Sequence, residues 1–208
     1  VLLGITAIVQ SATLMKLPYD PYKDFIPVSQ LSTSTSLLVV QSKLPVNNVV
    51  EYIALIKQQP GKHGYGSYGA GTSAHIQGEL FKSHTGTDLA HVPYKGAAPM
   101  MTDLLGGQLS MAFVDAGTGR SHIKAGTVKA LAVTGTERLK MAPDAPTFAE
   151  IGYKNYEPKG WFGFFLPTGT PPAVVAKLAA DLQKAIKLPD VTARIEELGQ
   201  TPVGGTPE

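Results

Sequence analysis

The residues best suited to chemistry lie in one segment, Gly64-Tyr65-Gly66-Ser67-Tyr68-Gly69-Ala70-Gly71-Thr72-Ser73-Ala74-His75. A very short strand enters this loop and a helix leaves it. The glycines allow tight turns and close approach of the backbone to a ligand. The first amides of the helix have no intrahelical acceptor and carry partial positive charge. Ser67, Thr72 and Ser73 add hydroxyl donors, so the loop suits a carboxylate or a phosphate. Three readings compete for it. One is a capped helix after a glycine turn, and the second is an anion-binding loop without a nucleotide. The third is a dinucleotide fingerprint, since Gly64, Gly66 and Gly69 spell G-x-G-x-x-G. Against the fingerprint, the strand before it is too short and the glycines lie too far ahead of the helix. Asp88 is spaced for a ribose contact but precedes its strand instead of ending it.

Other reactive types reduce to structural roles. Tyr65-Gly66-Ser67-Tyr68-Gly69 lacks the first glycine of a G-x-S-x-G elbow, so Ser67 is not read as a nucleophile. His75 and Glu79 form an i, i+4 pair, which alone is no zinc signature, and His75 is expected to cap or pack. His63, His84, His91 and His122 show no ligand spacing. Asp115 lies just past an apolar strand and reads as a turn or cap residue, or as a partner for a ligand donor or ordered water. Trp161 is expected to pack in a core or hinge. No catalytic residue, metal ligand or cofactor is assigned.

Stepping outward, the elements around the loop alternate. Phe25–Leu31, Leu37–Val40, Leu89–Pro93, Met111–Val114 and Val128–Val133 read as strands. Helices are expected at about 49–58 with an Asn cap, 73–83, 99–105, 171–187 and 190–198. Their buried stripes are Val49, Ile53, Leu55 and Ile56, then Ile76, Leu80 and Phe81, then Val174, Leu178, Leu182 and Ile186. Alternating strands and helices imply parallel pairing and an α/β sandwich, with ligands beyond the carboxyl ends of strands. The 208 residues are enough for one or two domains, and 43% hydrophobic with 16% charged residues is a globular composition. A net charge of +2 gives no basis for a nucleic-acid partner, and the lack of Cys excludes disulfides and thiolate chemistry. No apolar run reaches the ~20 residues that span a bilayer. The opening Val1-Leu2-Leu3-Gly4 reads as the interior of a buried strand, which suggests a processed or truncated chain.

Several motifs, in order, resemble one known family over essentially the whole chain. They are Leu17-Pro18-Tyr19-Asp20-Pro21 with Lys23-Asp24-Phe25, the segment 65–75, His91-Val92-Pro93-Tyr94-Lys95-Gly96, Ala130–Gly135, Pro146–Gly152 and the tract from Trp161 to Pro171. The family is the receptors of tripartite tricarboxylate transporters, also called Bug receptors. The resemblance implies an α/β, type II periplasmic-binding-protein fold: two lobes with a ligand cleft between, the first incomplete here. Residues 1–32 and 158–208 would belong to lobe 1 and the hinge, and 33–157 to lobe 2. A further third of the chain would precede Val1, and a short piece would follow Glu208. It also implies a monomeric periplasmic receptor for a small carboxylate, an organic acid or amino acid, that serves membrane transporter subunits. A solute sensor signalling to a membrane partner, or an α/β enzyme, are the alternatives. The family's carboxylate-holding role carries over to Ser67, Gly69, Ala70, Gly71, Thr72 and Ser73. Two positions depart from the pattern. Tyr68 replaces a small residue and is expected to narrow the cleft or stack on the ligand. Val114 stands where many members have Asp, with Asp115 one residue later, and a one-residue shift reverses the facing of a strand.

Overall fold

A computed structural model describes residues 1–154, 156 and 159–206. In chain order its elements are β1 (Leu2–Ile5), α1 (Ala7–Gln10), β2 (Phe25–Ser34), β3 (Ser36–Gln41), α2 (Val49–Gln58), β4 (Gly64–Ser67) and α3 (Ser73–Thr85). Then follow β5 (Ala90–Pro93), α4 (Ala97–Leu105), β6 (Met111–Asp115), α5 (Ala116–Lys124) and β7 (Val128–Val133). The last are β8 (Gly160–Pro167), α6 (Pro172–Ile186), α7 (Pro189–Glu197) and β9 (Gln200–Pro202). The chain divides into two units, Val1–Ser34 with Gly160–Glu208, and Thr35–Lys159. The lobe limit expected at Glu157 falls outside the described residues.

The first unit is a four-stranded antiparallel sheet in the order β1-β8-β2-β9. The strand expected at Val1–Gly4 forms as β1, but Leu2 and Leu3 are 41% and 53% exposed, so it is not a buried strand. Helix α6 buries Ala179 against Val28 and Leu166, supported by Val175, Leu178 and Leu182. Val174, expected on that buried stripe, is exposed and Val175 packs in its place, while Leu178, Leu182 and Ile186 lie on the stripe. Trp161 is half-buried beside Phe165, with ring centroids 5.9 Å apart, and lines an apolar pocket within this unit with Phe25 and Phe164.

The second unit is a five-stranded sheet in the order β5-β4-β6-β3-β7. Strand β4 pairs parallel with β5 and β6, whereas β3 runs antiparallel to β6 and β7. The expected parallel pairing is thus present between β4 and its neighbours β5 and β6, while β3 makes the sheet mixed. Strand β3 is inserted between β6 and β7, and both run opposite to it. Both faces of this sheet are covered. Leu38 and Val40 join Tyr52, Ile56, Phe81, Phe113 and Phe148 on one side, while Leu37 and Val39 join Met100, Leu104, Val114 and Val133 on the other. This period-two division is what makes the run 37–40 read as continuously apolar.

Helix α2 matches its expected span, with the Asn48 side chain accepting from the Glu51 amide, although Tyr52 shares the buried face with Val49 and Ile56. Helix α3 differs more. Its buried face is Ala74, Gln77, Gly78, Phe81 and Thr85, a row of mostly small residues, and Ile76 is only half-buried. Small residues face inward because the helix lies very close to β4. A Cβ on Gly78 would sit 2.0 Å from Cε2 of Tyr65. Helix α5 escaped the sequence reading because Gly117 and Gly119 disfavour helix. Asp115 caps it through Thr118, and Gly119 lets it approach Leu37, where a Cβ would meet Cδ1 at 2.9 Å.

Gly78→Ala tests this close approach. Helix propensity alone would stabilise by roughly 1 kcal/mol. The clash with the buried Tyr65 ring should outweigh that gain, for a net loss of about 1–3 kcal/mol in the unfolding free energy. A denaturant midpoint at or above that of the unsubstituted protein would show that α3 does not press on Tyr65 as described.

Candidate functional site

The candidate site begins at the carboxyl end of β4, where the chain leaves the sheet at Ser67 and re-enters order at Ser73. Gly69 and Gly71 have φ of 128° and 80°, values that L side chains rarely adopt, so these two glycines set the path of the loop. Thr72 is the N-cap of α3 by backbone conformation, and its hydroxyl donates to the Gly69 carbonyl at 2.8 Å.

Much of the loop's polar capacity is spent on the loop itself. The Gly69 amide donates to Oγ of Ser67 at 3.2 Å, and that oxygen lies 2.7 Å from Nε2 of His91. The Gly71 amide donates to Nδ1 of His75 at 3.1 Å. His75 sits three residues into the cap motif and reaches back, as the Glu or Gln of a capping box does. Among the described residues, the amides of Tyr68, Ala70, Ser73, Ala74 and His75 donate to no protein acceptor. Ala70 is exposed and Ser73 and His75 are half-buried, whereas Ala74 is buried, so the Ala70, Ser73 and His75 amides and the Ser73 hydroxyl are donors the loop can offer an incoming anion.

Ser67, expected as a ligand contact, lies inside the fold. It has 0% exposure, and its hydroxyl is already engaged by His91 and Gly69. The same burial removes the serine-hydrolase reading that a 2.7 Å Ser–His contact would otherwise invite. Gly69, Gly71 and Thr72 likewise shape the loop through the bonds just described. Tyr68 leans to β6: its hydroxyl donates to Oδ2 of Asp115 at 3.0 Å and accepts from the Asp115 amide at 3.1 Å. Asp115 also accepts from the amide and hydroxyl of Thr118, each at 2.8 Å. Its carboxylate thus holds three protein donors, one of them the cap contact that starts α5. Burial, and then the Asp115 carboxylate, push the Tyr68 phenol above its ordinary pKa, so it remains a neutral donor.

The residues that the sequence did not bring together are Tyr65, His75 and His91. Parallel register sets Tyr65 beside His91 on neighbouring strands. The two rings stack at 5.0 Å, and His91 stacks on His75 at 4.0 Å with 14° between planes. Nothing in local spacing shows this; the one available signal was that His91 opens the hexapeptide 91–96. Glu79, paired with His75 by spacing, instead accepts from the Tyr65 hydroxyl at 2.7 Å and from Lys82 at 3.0 Å. Burial opposes ionisation of Glu79, but the Tyr65 hydroxyl and the Lys82 ammonium together outweigh it and hold its carboxyl below its ordinary range. Burial, reinforced by the charge of His75, lowers the pKa of His91. Among the described residues no group of three or more His, Cys, Asp or Glu is placed to hold a metal ion, and no helix is long and apolar enough to cross a membrane.

This mixed α/β architecture is that of the periplasmic binding proteins: "Structure of periplasmic binding protein BugD" aligns with TM-score 0.89 at 33% identity, covering 99% of this chain and 69% of that one. More narrowly, the chain belongs to the family described as "Tripartite tricarboxylate transporter family receptor", which residues 1–206 match. It is 32% identical to the protein BugT of Bordetella pertussis over 192 residues, 92% of this chain and 59% of that protein. Among solved structures, "R. palustris Rpa4515 with adipate" aligns with TM-score 0.91 at 34% identity, covering 99% of this chain and 69% of that one. "MatC (Rpa3494) from Rhodopseudomonas palustris with bound malate" aligns with TM-score 0.85 at 28% identity, covering 96% and 69%. The chain thus spans less than two thirds of the curated relative's length.

The His91 shift gives a pH prediction. Because its folded pKa lies below the ordinary 6.5, the unfolded chain binds the proton more readily. Stability is therefore complete above about 6.5 and declines as pH falls toward the folded value. His63, lowered by burial and by Lys62, acts with the same sign, whereas Glu79 loses its contribution only below its ordinary 4.5. Urea unfolding at pH 7.5 and 5.2 should show a loss in acid, and a smaller loss in His91→Gln. An equal loss in the two proteins would remove His91 from the effect.

Proposed function

We propose that this chain is the greater part of an extracytoplasmic receptor that binds a small carboxylate and passes it to the membrane subunits of a tripartite tricarboxylate-type transporter. It performs no chemistry on the ligand. The observation that carries this reading is the set of amides at Ala70, Ser73 and His75 left without protein acceptors at the start of α3. Such amides, at the positive end of a helix, favour an anion without any cationic side chain. The adipate and malate held by the two related structures are small dicarboxylates and support the ligand class. Family membership supports transport and a periplasmic location; in this reading the receptor is a monomer and the two units of the chain correspond to its two lobes.

Within the site the roles divide. Ala70, Ser73 and His75 contribute amides to the carboxylate, and Ser73 contributes its hydroxyl. Ser67, Gly69, Gly71 and Thr72 hold those donors in place, and Tyr68 with Asp115 ties the loop to β6. Ligands seated this way depend on geometry more than on net charge, so binding should discriminate by shape among carboxylates.

The full-length receptor, titrated with a panel of mono- and dicarboxylates that includes adipate and malate, should show a raised melting temperature with at least one of them. Gly71→Val places a β-branched residue at φ 80° and should weaken that binding at least about tenfold while the protein remains folded. Silence across the panel would count against a carboxylate ligand, and undiminished affinity in Gly71→Val would take this loop out of the site.

A further inference from the structure

We propose that His75 and His91 are positioning residues: their stacked imidazoles form a strut that holds the glycine loop in its ligand-ready shape. The inference rests on the carboxylate reading of the loop and adds how the loop is kept in register. Its basis is that the two rings hold opposite ends of the same turn. His91 reaches the β4 end, because its Nε2 lies 2.7 Å from Oγ of Ser67, which in turn receives the Gly69 amide at 3.2 Å. His75 reaches the helix end, because its Nδ1 accepts the Gly71 amide at 3.1 Å. Face-to-face contact at 4.0 Å couples the two grips, and Tyr65 backs His91 at 5.0 Å. Tyr65 is itself held by Gly78 above its ring and by Glu79 at its hydroxyl.

The arrangement has a consequence for the donors. Gly69 and Gly71 are the most permissive residues of the loop, and without restraint each can leave its positive φ at little cost. Bonding their amides inward fixes them and leaves the Ala70 amide between them, with the Ser73, Ala74 and His75 amides just beyond, facing no protein acceptor. The tautomer follows too. Nδ1 of His75 must be without a proton to accept from Gly71, so the ring proton sits on Nε2. A proton on Nδ1 would set donor against donor at the Gly71 amide.

The geometry allows a crossed test. Asn places an acceptor where Nδ1 of histidine lies, whereas Gln places one where Nε2 lies. His75→Asn should therefore retain affinity for adipate, or for malate if that is the carboxylate bound, within about threefold of the unsubstituted full-length receptor. His75→Gln should lose at least about tenfold, the scale of one ordered hydrogen bond. At position 91 the order reverses, with His91→Gln retained and His91→Asn weakened. Asn and Gln behaving alike at both positions, whether both tolerated or both harmful, would reduce the rings to packing and overturn the proposal. A second measurement does not need a ligand or a variant: in 15N-labelled receptor, Nδ1 of His75 should resonate as an unprotonated nitrogen at pH 7.5. A protonated Nδ1 would overturn the proposal whatever the affinities show. If no carboxylate binds at all, the carboxylate reading fails while this nitrogen still decides the strut.

Discussion

The close seating of α3 on β4 is the constraint from which the site follows. It exists because residue 78 has no side chain, so the Tyr65 ring can lie directly beneath the helix. A helix one methyl further out would carry His75 away from His91 and from the Gly71 amide. It would also carry the Tyr65 hydroxyl away from Glu79, which it meets at 2.7 Å. The buried face of α3 is accordingly built from Ala74, Gln77 and Gly78 around a single aromatic, Phe81. Larger apolar residues would bury more surface, at about 25 cal/mol per Å², but would push the helix off the strand. Close packing is favoured here over area, and the helix N-terminus is delivered to the strand end as a result.

The Tyr68–Asp115 link works at right angles to that packing. It joins the loop to the neighbouring strand β6, and Asp115 at the same time caps α5. Two helix starts are thus tied together at the carboxyl ends of adjacent parallel strands, the place where α/β sheets offer ligands their backbone donors. The neutral state of Tyr68, enforced by burial and the Asp115 charge, matters for this: an ionised phenol beside a carboxylate would repel it and open the link.

How much of this was legible depended on whether the signal was local. Val49–Gln58, Val128–Val133 and the helix starting at Ser73 carry their caps, turns and periodicity in contiguous residues, and the structure places them where those features point. The glycine loop was legible for the same reason. The direction of β3 was not, because Leu37–Val40 has the same apolar run whichever way it pairs. Helix α5 was hidden by Gly117 and Gly119, whose cost in propensity is offset by a cap and by close packing on Leu37 that only the tertiary fold reveals. The ring stack of His75 and His91 was hidden most completely. It depends on strand register and on the height of α3 above β4, neither of which leaves a mark in the spacing of residues 75 and 91.

The same distinction explains why the loop residues divide as they do. A segment rich in glycine and hydroxyl groups looks, in sequence, like a set of equivalent donors awaiting an anion. In three dimensions a loop with two residues at positive φ cannot hold its shape on backbone preference alone, since glycine resists such fixing more than any other residue. Some of its donors must be turned inward to hold it, and the ones turned inward are those of Gly69 and Gly71 themselves. The hydroxyls divide in the same way: Ser67 and Thr72 bond within the loop, and Ser73 sits at the first turn of the helix. Preorganised amides that need not rearrange when an anion arrives are worth more than a larger number of mobile ones, because the ordering cost is met in folding and not in binding. The donors that the sequence presents as equivalent are therefore of two kinds, those bonded inside the loop and those left without a protein acceptor.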